Sequence, residues 1–347
     1  MKMKPDLKIA LVVLSMTVFF PVMILAQTFQ KRTITDMAGR RVILNGSINR
    51  IVTTFKPASL CVLSLGLAHK MVGIDTSFGR DRLARAVFPE IADITGIGTK
   101  SLGIHFETLI ALKPDLVILY SQKDGIELAD RLSAMNIACI VIIPETYETI
   151  LACLRLIAEA TGEQNRVLPI EKHMEQILNL VSSRVSGLSD QEKKTAYFAS
   201  SLGLFNTTTA NMLQHDIMTR AGIINVSGNL KGYFQDISPE QLVKWNPDMI
   251  LLSQHINRSE PERLSNPALK QIKAVSQNFI FRCPSSLSPW DFPSPLSVLA
   301  TLWVAKKAYP KRFSDIDMTR QADDFHKCLF GKTMTQMGGN INDSTGI

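Results

Sequence analysis

Two stretches of the chain carry the same order of polar and apolar positions. Residues 106–121 read FETLIALKPDLVILYS and residues 239–254 read PEQLVKWNPDMILLSQ, at a fixed offset of 133 positions. Five positions are identical: Glu107/Glu240, Leu109/Leu242, Pro114/Pro247, Asp115/Asp248 and Leu119/Leu252. Each copy predicts a short helix, a Pro-Asp break and a continuous apolar run. Such a run is the pattern of a strand buried on both faces of a parallel sheet. Copies this far apart predict two similar α/β lobes rather than a solenoid of small units. Asp115 and Asp248 each follow a proline at a strand start, where a turn role is expected.

Ahead of the first copy, residues 32–44 alternate apolar and polar around Ala38-Gly39, as in a small β-hairpin. Residues 50–54 and 70–75 read as strands flanking a helical stretch at 60–67, and 78–82 and 96–100 as polar loops. A helix at 125–135 and a strand at 138–143, ended by Pro144, follow the first copy. Strands alternating with helices make a parallel sheet the default. Residues 147–187 hold no evident strand. A first amphipathic helix runs over 147–161 and stops at Gly162. In a second, Ile170, Met174, Ile177, Leu178, Val181 and Val185 share one face. Pro169 suits that helix's first turn, and from 169 to 186 it would span roughly 27 Å at about 1.5 Å per residue.

The scheme then repeats, with a strand at 194–200, a helix at 214–221 closed by Gly222, and the second copy. A helix at 267–275, an outer strand at 278–282, a stiff proline-rich loop at 288–295 and a helix at 296–309 complete it. The expected organisation is an N-terminal lobe at 27–146, a helical connection at 147–190, a C-terminal lobe at 191–330 and a disordered tail at 331–347.

The first 26 residues have a different character. Lys2, Lys4 and Lys8 precede an almost wholly apolar run to Ala26, the pattern of a secretory signal cleaved near Ala26. Retention as a membrane anchor is the alternative, since about 18 apolar residues just span a bilayer. Part of the net charge of +7 lies in this segment, and the remaining cations are scattered without interleaved aromatics. A nucleic-acid partner is not expected. None of the five cysteines lies near position 26, so no lipid-attachment site is available there, which points to a free periplasmic protein. Cys61, Cys139 and Cys153 sit among apolar neighbours as small core residues. The odd count leaves at least one free thiol, and a Cys283–Cys328 bridge stays open.

Nucleophile-elbow and phosphate-loop motifs are absent, and Gly96-Ile97-Gly98 lacks the third glycine and downstream acid of a dinucleotide site. The histidines lack metalloprotease spacing, and no enzyme activity, metal site or cofactor is expected. In open α/β sheets ligands sit beyond the C-terminal ends of the strands. That rule nominates Phe55, Lys56, Phe78, Arg80, Ser121 and Gln122 in the first lobe. In the second it nominates Phe205, Asn206, Tyr233, His255 and Trp290. Aromatics mixed with a few cations and amides suit a bulky organic or chelated ligand.

From about residue 33 to 317 the chain resembles the substrate-binding proteins of ABC importers for iron–siderophore, cobalamin and haem-type chelates. The residues that carry the resemblance are DMAGRRV (36–42), LGLAHKMVG (65–73), ETLIALKPDLV (107–117), AGIINV (221–226) and SPEQLVKWNPDMI (238–250). The resemblance implies two Rossmann-like α/β lobes with parallel sheets, joined by a long helix, with the ligand in the cleft between them. It also implies a monomer that docks on a permease dimer in the inner membrane through one glutamate per lobe. By position these are Glu107 and Glu240. Relatives of this fold that bind molybdate or tungstate make an oxyanion receptor the alternative, with Lys56, Arg80 and hydroxyls as ligands. A membrane-anchored sensor is the other reading, should the first 26 residues be retained.

Overall fold

Alternation of side chains across two sheets organises the core. The computed structural model describes residues 31–99, 102–121 and 125–341; the expected signal segment and Gln122 lie outside them. An antiparallel hairpin, β1 (Arg32–Thr35) and β2 (Arg41–Leu44), opens the described chain. The first lobe then runs β3 (Ile51–Thr53), α1 (Lys56–Ser64), β4 (Met71–Ile74), α2 (Arg82–Val87) and β5 (Thr95–Gly96). A two-stranded ribbon of β6 (Gly98–Thr99) and β7 (Gly103–Ile104) leads to α3 (Phe106–Ala111), β8 (Leu116–Tyr120), α4 (Gly125–Ala134) and β9 (Cys139–Ile142). The sheet order is β5-β4-β3-β8-β9, and every pair is parallel.

Two helices, α5 (Tyr147–Thr161) and α6 (Val167–Val185), connect the lobes. Thr146 caps α5 by accepting from the Thr149 amide, and Gly162 ends it at φ 78°, a conformation that favours glycine. Pro169 sits in the first turn of α6, where its missing N–H leaves no helical bond unmade.

The second lobe contains β10 (Thr195–Ala199), β11 (Asn206–Thr208), α7 (Leu213–Arg220), β12 (Ile224–Asn225) and β13 (Phe234–Asp236). It continues with α8 (Pro239–Trp245), β14 (Met249–Leu252), α9 (Lys273–Ser276), β15 (Ile280–Arg282), α10 (Ser297–Ala308) and α11 (Met318–Phe330). Here β12, β10, β14 and β15 pair in parallel, while β11 and β13 extend the sheet as antiparallel neighbours. The expected helix at 267–275 is broken into a 3-10 turn, Pro267–Leu269, and the single turn of α9.

One core is shared by both lobes. Ile51, Leu116, Ile118, Ile140 and Ile142 face it from the first sheet, and Ala196, Phe198, Met249 and Leu251 from the second. Alternate residues face a private core on each outer side: Val117, Leu119 and Val141 in the first lobe, Tyr197, Ile250 and Leu252 in the second. This is why the two apolar runs are continuous rather than alternating. Their flanking helices match as well, because Leu109 of α3 and Leu242 of α8 are both fully buried in those outer cores.

The duplication extends to backbone and hydrogen bonds. Lys113 and Asn246, again 133 positions apart, take left-handed conformations at φ 46° and 44°. The Asp115 carboxylate accepts from the Asn49 and Arg50 amides (both 2.8 Å) at the entry to β3. The Asp248 carboxylate accepts from the Thr195 amide (2.9 Å) and hydroxyl (3.0 Å) at the entry to β10. Both aspartates thus tie adjacent parallel strands at their N-terminal ends, away from the cleft.

Residues 331–341, expected within a disordered tail, are packed instead. Met334 is fully buried and Met337 rests on the shared core, so two methionines anchor a polar, glycine-rich segment. Thr335 bonds Asp323 of α11, and the Lys332 ammonium reaches the Ala86 carbonyl of the first lobe at 3.0 Å. Cys283 and Cys328 are free thiols, as are the other three cysteines.

Within α11, His326 is fully buried. Its Nδ1–H donates to the Ala322 carbonyl at 2.7 Å, while Nε2 has no partner. Burial lowers its pKa from 6.5 to about 4. The folded state therefore binds fewer protons than the unfolded state between these values. Stability is full above pH 6.5 and falls as the pH drops towards 4, by about 3 kcal/mol in total at 1.36 kcal/mol per pKa unit. The expected result is a melting temperature that declines over this window and declines less in His326→Gln.

Candidate functional site

The C-terminal ends of the central strands open into a cleft of about 310 Å³ between the lobes. This lies at the small end of the usual range for ligand pockets. The first lobe supplies its wall from the ends of three strands. Phe55 follows β3 and caps α1, Tyr120 ends β8, and Glu145 follows β9. The Phe55 and Tyr120 rings stack at 4.7 Å between centroids, and the Tyr120 hydroxyl donates to the Glu145 carboxylate. The second lobe brings Phe198 and Ser200 from the end of β10, Thr208 from β11, and Gln214 from α7. Ser253 and His255 follow β14, and Asp291 with Phe292 come from the proline-rich loop.

The electrostatics are dominated by carboxyl groups. Lys56 is held at 2.7 Å by Asp81, and its ammonium lies 5.4 Å from the centre of the Phe292 ring. Asp75, Glu145 and Asp291 line the same space. Asp291 is buried and accepts from the Ser253 hydroxyl at 2.7 Å. Burial pushes its carboxyl pKa up, against the pull of that hydroxyl and of His255. The His255 ring meets Phe292 edge-on at 6.5 Å. Desolvation and then Lys56 hold its pKa below the ordinary value, opposed by Asp291 and Asp81, so the neutral imidazole is favoured. Among the described residues no cluster of three or more metal-ligating side chains occurs.

Of the nominated residues, Phe55, Lys56, Tyr233 and His255 come together in the cleft. Phe78 does not: it is fully buried in the shared core, because the polar-looking loop folds into a 3-10 turn that turns the ring inward. Trp290 is likewise fully buried, and its loop presents the next two residues to the cleft instead. Arg80 is exposed and outside the lining, and Ser121 is half-buried beyond it. Phe205 packs on the outer core under Arg263. Asn206 is buried, bonded to the Ser200 hydroxyl (2.5 Å) and the Asp236 carboxylate (2.7 Å). Missing from the nominations were Tyr120, Glu145, Phe198, Thr208, Gln214, Ser253 and Asp291. All but Gln214 lie within three positions of a strand end or nominated residue, so the strand-end rule located the region and missed the exact side chain, whereas Gln214 comes from the first turn of α7, which that rule does not reach.

Residues 51–287 match the family model described as periplasmic binding protein, more than half of the chain. The chain belongs to that family of two-lobe binding proteins. It is similar to the molybdate-binding protein MolA of Haemophilus influenzae, 25% identical, with 86% of this chain and 91% of that protein covered. The structure of MolA bound to molybdate superimposes with a TM-score of 0.78 at 23% identity, covering 87% of this chain and 98% of that one. The chain is also similar to the Fe(3+)-citrate-binding protein YfmC of Bacillus subtilis, 23% identical over 74% of this chain and 79% of that protein. Helicobacter pylori CeuE with Ni(II) bound shares the fold at a TM-score of 0.76 and 20% identity, covering 89% and 99%.

Proposed function

We propose that the protein is the extracytoplasmic substrate receptor of an ABC importer, and that its cargo is an organic metal chelate delivered to a membrane permease. The observation that carries the ligand class is the wall of the cleft. Phe55, Tyr120, Phe198, Tyr233, Phe234 and Phe292 line it, and its one lysine is neutralised by Asp81. Aromatic faces gain most from a large organic surface and little from a small, strongly hydrated anion. The family and its relatives of known cargo support the receptor role, and no chemical step is assigned to the chain. Glu107 and Glu240 lie in the first turns of α3 and α8, exposed and on the outer faces of the lobes. They are the proposed permease contacts, one per lobe, as suits a two-fold symmetric partner.

An oxyanion is the second reading, favoured by the likeness to MolA. An absorbance spectrum with elemental analysis of protein taken from its native periplasm separates the two. A chelate gives a visible band with a stoichiometric transition metal. A colourless protein carrying molybdenum or tungsten overturns the chelate reading.

A further inference from the structure

Two buried polar atoms on the second-lobe side of the cleft have no partner. The Thr208 hydroxyl belongs to a residue that is 0% exposed, and the Gln214 Oε1 to one that is 8% exposed; both residues line the cleft. The Gln214 amide orientation follows from its surroundings. Its Nε2 donates to the Asp291 carbonyl at 2.8 Å, and the reverse orientation would set two acceptors against each other. Oε1 is therefore left as an acceptor. Thr207, the neighbouring residue of β11, turns its hydroxyl to the Phe198 carbonyl at 2.8 Å, whereas the Thr208 hydroxyl has no partner within the protein. Buried polar groups are normally satisfied, and orphans beside a ligand cleft mark what the ligand must supply.

The charged groups point the same way. Asp75 and Asp291 bring carboxyl groups to the lining, against one lysine already paired with Asp81 and a histidine that burial and that lysine keep neutral. An anionic ligand would face the carboxyl groups of Asp75 and Asp291, with no cation free among the described lining residues. A ligand bearing N–H or O–H donors would bond Gln214 Oε1 and the carboxyl oxygens, and its carbonyl or alkoxide oxygen would accept a hydrogen bond from the Thr208 hydroxyl.

Resting on the receptor reading above, we infer that Thr208, Gln214 and Asp291 form the polar anchor of the cleft, and that they select a donor-bearing organic metal complex of neutral or positive net charge. The anchor thus departs from the anionic cargo named for the relatives MolA and YfmC.

Isothermal titration with ferric complexes graded in charge tests this: a cationic and a neutral trihydroxamate, an anionic tricatecholate, ferric citrate, and molybdate as the metal oxyanion. The neutral or cationic complex is expected to bind at least tenfold more tightly than either anionic complex. Thr208→Val removes a hydroxyl that is unbonded without ligand, so the melting temperature of the free protein should hold or rise while affinity falls about tenfold. Gln214→Leu should weaken the same complex by a similar factor. A structural role for Thr208 would instead lower the melting temperature and leave affinity alone, which overturns the anchor. Preference for an anionic chelate overturns the charge selection while the receptor of chelates stands. Molybdate as the one binding probe overturns the chelate reading and the inference together.

Discussion

Replacing Glu107 and Glu240 together by alanine is expected to abolish uptake by cells while ligand affinity stays unchanged. Both carboxylates are exposed, and neither is in an ion pair among the described residues. The first turn of a helix is a place where a carboxylate is favoured by the helix dipole. In Glu240 the backbone amide and the Ser238 hydroxyl lower the pKa, so the group stays charged at neutral pH. Neither residue lines the cleft, so nothing in the ligand's contacts changes on substitution. What is expected to be lost is the charge that each lobe would offer to the proposed permease. Charges at a docking surface set the rate and register of association, and losing one of a symmetric pair leaves the other to act. Single substitutions should therefore reduce uptake and the double substitution eliminate it. Labelled-ligand uptake alongside a binding titration of purified protein separates the two effects, and normal uptake by the double variant would show that these residues are not the docking contacts.

Trp290→Ala is expected to be the most destabilising of the changes at the cleft. The indole is fully buried in the shared core beneath the loop, and truncating a buried tryptophan costs about 3–5 kcal/mol through lost transfer energy and the cavity left behind. Its backbone N–H donates to the Pro284 carbonyl at 2.8 Å, which fixes where Asp291 and Phe292 emerge. Affinity should drop along with stability. The indole N–H has no partner, so Trp290→Phe removes an unsatisfied donor and should cost much less. Phe292→Ala makes the complementary case. That ring is half-buried, faces Lys56 and His255, and belongs to the ligand's wall, so its loss should weaken binding with little effect on melting. Denaturant melts and binding titrations on the three variants distinguish a core residue from a cleft residue.

The duplication was legible because it is written twice in the same units: helix turn, Pro-Asp, apolar run. The matching left-handed residues Lys113 and Asn246 were not, since a lysine gives no sign of positive φ. The α11 helix carries a readable stripe in Met318, Ala322, Phe325 and Leu329, all buried, but it borders a segment whose glycines and amides mimic disorder. Two methionines reverse that composition by packing on a surface that only the folded lobes create. At the cleft, the strand-end rule fixed the region because topology places ligands there. It could not decide between Tyr120 and Ser121, or between Trp290 and Asp291. Side chains alternate along an extended chain, so one residue's shift exchanges the cleft for the core or the rim. Glu145 and Asp291 are held in the site by tertiary contacts 25 and 38 positions away in sequence, with Tyr120 and Ser253, which no local pattern records.

The cleft of this two-lobe protein is expected to hold an organic metal chelate against its aromatic walls. A thermal-shift panel of ferric chelates, haem, corrinoids, molybdate and tungstate tests this directly, since a ligand at a hundred times its Kd stabilises the native state by about 2.7 kcal/mol. The expected result is a rise in melting temperature with one class of chelate, reduced in Phe292→Ala and unaffected by Glu107→Ala with Glu240→Ala. A rise with molybdate or tungstate and none with any chelate would contradict it.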